Sequence, residues 1–367
     1  MKFSLKKNLF KVVLRILHLM QPEQAHTLAL TALKLLNLET GELPKYEKLN
    51  VRFCEINLPN PIGLAAGFDK DAEVIPGLFS LGFGFLEVGA VTPHSQMGNK
   101  KPRIFRLKEN QGLINRLGFN NRGMNHLVKK LTSYKGTGII GLNIGANKNS
   151  SDKISDYIKV LTYSSHAVDF VTINVSSPNT EGLRNLQSKH NLTKLVRKIM
   201  QNDAVRLDKK PILLKIAPDL NDTELKSILE ITQKYKVSGI IATNTTTKRP
   251  NLKGSCYNES GGLSGQPLFD ISNTILAKLY YLSDGKVPLI GVGGIFSGKD
   301  AYKKICLGAS VVQLYTALTY QGPYVVRDIL SEMSDILEIE GYNHISEAVG
   351  SKNLDYLMTE TDRSIFG

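Results

Sequence analysis

Tryptophan is absent from the 367 residues, and cysteine is scarce. Cys54, Cys256 and Cys306 lie far apart, form no CxxC and join no Cys/His cluster. A disulfide framework is therefore unsupported, as is a zinc site, and a reducing compartment is expected. His94 and His166 have no acidic or second histidine partner at ligand spacing, so they read as structural and no metal is expected. Acidic residues are in deficit, 33 against 46 Lys and Arg, and the net charge of +13 favours an anionic partner. Nucleic acid, lipid headgroups and a phosphorylated ligand all satisfy that balance. No apolar run is long enough to cross a bilayer, and no small-residue cleavage site follows the N-terminus, so secretion is not expected. Low-complexity linkers and short-period repeats are also missing. What remains is the composition of one large folded body, 42% hydrophobic and 22% charged.

The most localised charge lies at the start. Residues 1–20 hold Lys2, Lys6, Lys7, Lys11 and Arg15 and no acid. Leu5, Leu9, Val12, Val13, Ile16, Leu17 and Met20 recur at helical spacing, with Lys7, Lys11, Arg15 and His18 on the opposite stripe. The spacing predicts an amphipathic helix. After the Gln21-Pro22-Glu23 break, Leu28, Ala32, Leu35 and Leu36 share a face up to Glu39-Thr40-Gly41, which predicts a second helix. Residues 1–40 thus form a two-helix extension. Packing on the main body is the commoner fate of such a pattern, and resting on a membrane surface is the other.

From residue 61 one rhythm repeats: a short β-branched or apolar run, a polar or Gly-rich loop, then a stretch able to form a helix. Eight such runs occur: Pro61–Gly67, Phe85–Thr92, Ile139–Ala146, Asp169–Ser176, Pro211–Pro218, Gly239–Thr246, Pro288–Ile295 and Ser310–Ala317. Alternation of this kind implies parallel strands with helical crossovers, for which Asn191–Asn202, Asn221–Lys234, Ile271–Leu282 and Lys299–Leu307 are available. Eight strands favour an α/β fold closed into a (β/α)8 TIM barrel over a doubly wound sheet. A barrel of roughly 250 residues plus an appendage fits the length, with residues 41–367 as the barrel domain. The longer gap between the second and third strands, which holds Pro102, Arg103, Asn115 and Asn120-Asn121, is expected to fold over the barrel mouth.

Catalytic groups of such barrels sit at the C-terminal ends of strands, where polar residues call for a functional reason and apolar ones do not. Here those ends read Ala65-Ala66-Gly67-Phe68-Asp69-Lys70, Asn143, Asn174 to Asn179, Lys215, Thr243-Asn244-Thr245, Gly293-Gly294 and Tyr315-Thr316. One pocket could collect them all.

In this order and at these intervals, GLAAGFDKD, GLINRLGFNNRG, NVSSPNT, KIAPDL, ATNTT, GGLSGQPL and GVGGI closely resemble the dihydroorotate dehydrogenase family. The resemblance runs from about Asn60 to Pro323 and includes a recognisable two-helix N-terminal extension. It implies FMN as cofactor, dihydroorotate and orotate as ligands, and a step of de novo pyrimidine synthesis. Ser177 stands where the quinone-dependent class has serine and the soluble enzymes have cysteine, which implies a membrane quinone as final acceptor. Soluble fumarate- or NAD-linked enzymes are the nearest alternative; they predict cysteine at 177 and no helical extension. A non-catalytic phosphate-binding barrel would keep the glycine loops but have no need of Lys70, Ser177 and Lys215 together. An RNA-modifying flavin barrel would need a catalytic cysteine and appended RNA-binding helices that are not evident, so no nucleic-acid partner is expected.

The resemblance carries roles to individual residues. Lys70 is implied to hold the substrate carboxylate as a point charge. Asn115, Asn179 and Asn244, each both donor and acceptor, are implied to grip the pyrimidine ring, with Arg116, Leu117, Gly118, Phe119 and Thr245 beside them. Ser177 is the implied base, which requires burial and a path for its own proton. On the flavin side stand Ala65, Ala66, Gly67, Phe68, Asp69, Ala90, Asn143, Thr243 and Lys215, the last a positive charge suited to reduced flavin. Asn174 is expected to touch both ligands. Ala90 departs from the hydroxyl residue common there, so any contact must come from backbone. The loops at Gly261–Gly265, Gly293-Gly294 and Tyr315-Thr316 are implied to take the phosphate, Gly265, Gly294, Tyr315 and Thr316 among them.

The extension is implied to frame the quinone's entrance, with Phe10, Leu14 and Leu17 as candidates, and to meet anionic lipid. The expectation is a monomer held peripherally at the cytoplasmic face of the inner membrane.

Overall fold

The computed structural model describes residues 2–35, 45–250, 252–254 and 256–366, with side chains described from 10 to 359 within those ranges. The expected boundary at 40/41, the residues Leu36 and Glu39-Thr40-Gly41, and the side chains of Leu5, Lys7 and Leu9 lie outside them. Eight parallel strands close into a barrel: β1 (Ile62–Leu64), β2 (Phe85–Val91), β3 (Ile139–Ile144), β4 (Phe170–Asn174), β5 (Ile212–Ile216), β6 (Gly239–Ala242), β7 (Leu289–Val292) and β8 (Val311–Leu314), with β8 pairing back to β1. Each expected run contains one of them. The strands are rich in Ile, Val and Leu and buried on both faces, as a sheet enclosed by helices requires. Helices Lys189–Met200, Asp222–Lys234, Phe269–Leu282 and Gly298–Cys306 provide the anticipated outer crossovers. Two of them begin with reciprocal capping boxes, Asn221 with Glu224 and Ser297 with Asp300, which satisfy otherwise orphaned N–H groups.

At the N-terminal end of the barrel, Phe85 and Phe170 stack edge to face with centroids 6.2 Å apart. Each ring lies against a glycine on the paired strand, Gly63 and Gly141, where a Cβ would come within 2.3 and 2.0 Å of ring carbons. That end is therefore plugged by packing, and the polar groups gather at the other.

Over the C-terminal mouth the long excursion forms a hairpin, Ile104–Leu107 with Gly112–Asn115. Gly262–Gly265 joins it as a third antiparallel strand, with Asn115 opposite Gly262. The glycine-rich stretch expected as a loop is thus largely a strand, because its backbone N–H groups find partners in the hairpin. Elements without a specific expectation from the sequence include the hairpin of Val51–Phe53 with Ile56–Leu58, and the helices Met124–Ser133, Lys153–Ser164, Val325–Glu340 and Asn353–Phe366.

The two-helix extension is present as α1 (Lys2–Leu19) and α2 (Pro22–Leu35). α2 approaches the barrel so closely that a Cβ on Gly77 would lie 2.4 Å from the Leu33 carbonyl oxygen. Arg106 donates to the carbonyls of Leu17, His18 and Met20 at the end of α1, where helical partners run out. His18, expected on the outward polar stripe, instead turns inward: its ring lies 5.4 Å from that of Tyr320, and its Nε2 is 3.0 Å from the Thr319 carbonyl. A carbonyl at the barrel surface offers that ring nitrogen a partner. Among the described residues no helix is long and apolar enough to cross a membrane.

Candidate active site

The barrel mouth opens into a cleft of about 1150 Å³, a figure that includes open space at its entrance. Every expected site residue lines it except Phe68, Asp69 and Arg116. Asp69 turns away, its carboxylate accepting the backbone N–H groups of Glu73 and Val74 at 2.9 Å, which shapes the turn that presents Lys70. Arg116 pairs with Glu259 at 2.6 Å and lies over the Phe105 ring, so its side chain braces the lid strands instead of entering the cleft. Phe68 belongs to the wall of a second cavity.

Lys70 projects into the cleft and donates to the Gly67 carbonyl at 2.7 Å. Burial, with the nearby Arg103 charge added, outweighs the attraction of Asp71, Glu23 and Asp69 and brings its ammonium down to about 8. On the facing loops Asn179 donates from Nδ2 to Asn115 Oδ1 at 3.1 Å, which links the lid to the loop after β4. Asn244 donates to Asn174 Oδ1 at 3.2 Å and to Ser176 Oγ at 3.0 Å.

Ser177 is buried at the cleft wall, and its Oγ accepts the Asn179 N–H at 3.3 Å. Among the described residues that hydroxyl donates to no protein acceptor, so any path for its proton passes through solvent or ligand.

Lys215 points inward from β5 and is 5% exposed. An all-apolar run concealed that direction from the sequence. Its Nζ has no hydrogen-bond or ion-pair partner among the described residues, an arrangement that is costly unless an anionic or acceptor-rich group arrives. After β7, Gly294 (φ 74°), and at the end of the third lid strand, Gly265 (φ 91°), adopt backbone shapes that side chains rarely reach. Beside Gly265, Ser264 and Thr316 share a hydroxyl contact of 2.9 Å. The Ser264 hydroxyl was not foreseen, only the backbone of its loop. Neither were Glu87 and Gln313, inward-facing polar residues of β2 and β8, although a carboxylate inside FLEVGAV and an amide inside VVQL are out of place in buried strands.

The second cavity, about 1440 Å³ with its open space, lies between α1, α2 and the barrel. Its lining is almost wholly apolar and includes Phe10, Leu14, Leu17, Ala29 and Leu318. Ile104, Leu113 and Tyr315 line both spaces. The partition between them carries Phe68, whose ring meets those of Tyr315 and His26 edge to face at 5.5 and 5.0 Å. Burial and the neighbouring Lys70 charge push the His26 ring down to about 4, so it is neutral at ordinary pH.

A family model described as dihydroorotate dehydrogenase matches residues 48–337. This chain belongs to the dihydroorotate dehydrogenase family. It is 45% identical over 352 residues to the dihydroorotate dehydrogenase (quinone) of Azorhizobium caulinodans, covering 94% of this chain and 99% of that one. With the mitochondrial dihydroorotate dehydrogenase (quinone) of Mus musculus it shares 44% identity over 343 residues, 90% of this chain and 87% of the other. The crystal structure of DHODH from Eimeria tenella in complex with ferulenol superposes with a TM-score of 0.84 at 35% identity, covering 90% of this chain and 95% of that one.

FMN is the family's cofactor, and the cleft fits it. An unpaired buried ammonium suits the electron-rich edge of a flavin. Glycine backbone beside two hydroxyls suits a phosphate, and the otherwise unpartnered Gln313 Oε1 suits a ring N–H.

Proposed function

We propose that this chain oxidises (S)-dihydroorotate to orotate with FMN as hydride acceptor and a membrane quinone as final electron acceptor, a step of pyrimidine synthesis. The observation that carries this reading is the pair of cavities sharing the Phe68–Tyr315 partition: one polar, with a lysine, a serine and converging asparagines, the other apolar and bounded by an amphipathic helix pair. A soluble acceptor would have no need of the second. Ser177 at the base position points the same way.

Lys70, charged below about pH 8, holds the substrate carboxylate, while Asn115, Asn179, Asn244 and Thr245 orient the ring, with Leu117, Gly118 and Phe119 excluding water above it. Asn174 meets both ligands. Ser177 Oγ takes the proton from the carbon next to the ring carbonyl, and the Asn179 N–H on that oxygen steadies it as it does so. Its own proton leaves by way of water. FMN, when bound, supplies the acceptor of the hydride and the conduit to quinone. Ala65, Ala66, Gly67, the Ala90 backbone, Asn143 and Thr243 would line its ring, Lys215 would compensate negative charge, and Gly265, Gly294, Tyr315 and Thr316 would take its phosphate. Phe68 would stand between that ring and the quinone space, and Asp69 acts on the site through the turn it caps.

Residues 1–40 form the quinone-gathering extension and 41–367 the catalytic barrel. Val12, Val13, Ile16 and Leu19 of α1 and Leu28 and Leu35 of α2 are exposed, and Lys11 and Arg15 flank them. Such a surface lies in the headgroup region of an anionic bilayer, each cation adding about 1 kcal/mol. On this reading the chain is a peripheral monomer at the cytoplasmic face of the inner membrane, and the exposed apolar residues with their flanking cations support the membrane contact.

Co-sedimentation with vesicles tests the location: binding to anionic vesicles that weakens when Val12 and Ile16 are changed to Ser supports it, and equal recovery in the supernatant for both proteins contradicts it. Anaerobic half-reactions test the chemistry, with flavin bleaching by dihydroorotate expected and none contradicting the reading.

A further inference from the structure

Glu87 is wholly buried inside the barrel, and among the described residues no cation lies within ion-pair distance of it. Its two oxygens are met by amides: Asn143 Nδ2 donates to Oε1 at 2.5 Å and Gln313 Nε2 to Oε2 at 2.6 Å. Both Glu87 oxygens act as acceptors here, whereas an amide carries a donor at one end and an acceptor at the other. Turning Asn143 over would set two acceptors against each other in a space closed to solvent.

With Asn143 Nδ2 committed to Glu87, its Oδ1 accepts Asn174 Nδ2 at 2.9 Å. Asn174 Oδ1 in turn accepts Asn244 Nδ2 at 3.2 Å, and Asn244 Oδ1 accepts the Thr245 N–H at 2.8 Å. The other arm ends at Gln313, whose Nε2 is committed to the carboxylate and whose Oε1 has no partner at the cleft wall.

We propose that Glu87 is a positioning residue: by accepting at both oxygens it sets the direction of the Asn143–Asn174–Asn244 amide chain and of Gln313, and so decides which atoms the cleft presents to its ligands. The inference rests on the assignment of the cleft as the orotate and FMN site. Hydrogen bonds in series reinforce one another when all point the same way, so one carboxyl group accepting at both oxygens orders the whole row.

The test is orotate titration of the FMN-loaded protein, followed by the change in flavin absorbance. Wild type, Glu87→Gln and the double variant Glu87→Gln with Gln313→Glu are compared, with flavin content measured for each. Glutamine at position 87 keeps the shape but offers one donor and one acceptor to two donors, so one neighbour must turn. Orotate binding is expected to weaken about tenfold or more. In the double variant the carboxylate moves to position 313, the amide introduced at position 87 donates to it, and the oxygen of that amide again faces Asn143 Nδ2. Most of the lost affinity should return. Wild-type affinity in Glu87→Gln, or no recovery in the double variant, overturns the proposal. If the single variant holds no flavin, the double variant decides alone: recovery of loaded protein that binds orotate like wild type supports the proposal, and its failure overturns it. A wild-type protein whose flavin spectrum ignores orotate would instead overturn the reading of the site.

Discussion

Arg103 holds Glu23. Its Nη2 lies 2.6 Å from Glu23 Oε1 and its Nε 3.2 Å from both carboxylate oxygens, while Nη1 donates to the Met97 and Asn99 carbonyls. One side chain thereby docks α2 onto the excursion that lids the cleft. Burial raises the Glu23 carboxyl, but the hydrogen bond and charge of Arg103 prevail and hold it below its ordinary range. The stability this pair adds is present above the ordinary carboxylate range and lost as the pH falls through the lowered value.

Glu23→Ala leaves the Arg103 guanidinium buried without its carboxylate, at a cost of up to about 3–5 kcal/mol for a fully buried pair and less here because Glu23 keeps some exposure. The helix pair should loosen while the barrel survives. Steady-state assays are expected to show a raised KM for quinone, with anaerobic flavin reduction by dihydroorotate close to wild type. A loss confined to flavin reduction would contradict the placement of quinone between the helices.

Ser177→Ala should keep FMN and lose about 10²- to 10⁴-fold in the rate of flavin reduction, the usual share of a positioned base. Stopped-flow absorbance measures it. Unchanged reduction removes Ser177 from the mechanism.

Lys70 gives the ligand-free cleft a pH dependence with a definite sign. Its ammonium is charged below about 8, so orotate affinity should be flat below that pH. Above it, affinity should fall about tenfold per pH unit until the pKa of the complex is reached, because a bound carboxylate raises that pKa. Orotate titrations from about pH 6.5 to 9.5 read this directly, and Lys70→Met should bind weakly with no such break.

Lys215 should behave oppositely in the empty and loaded protein. Lys215→Met removes an unpaired buried charge, so the flavin-free protein should melt higher than wild type. The rise in melting temperature on adding FMN should shrink, because the ligand loses its partner. A variant that melts lower without flavin would mean that Lys215 has a structural partner.

The barrel was legible because each strand is a compact β-branched run with a helix-length stretch behind it, and Gly239–Ala242 or Leu289–Val292 has no other way to be satisfied. The site was legible at strand ends, where Asn143, Asn174 and Lys215 interrupt apolar sequence. Pairing across the chain was not. Nothing local to Arg116 announces Glu259, 143 residues away, and nothing in Gly262–Gly265 reveals that a hairpin from the excursion will take its backbone hydrogen bonds. His18 was misplaced for the same reason, since helical spacing gives a side chain's angle but not what lies opposite it. Glu87 and Gln313 were visible as polar residues in buried strands. Their meaning required seeing β2 and β8 flank β1 in the closed barrel, so that their inward side chains meet.

The most direct test of the account is anaerobic reduction of the yellow protein with dihydroorotate, followed by splitting the bleached sample among a quinone, fumarate and NAD. Bleaching is expected, with return of the flavin colour on adding quinone alone. Reoxidation by fumarate or NAD, with quinone inert, would contradict it.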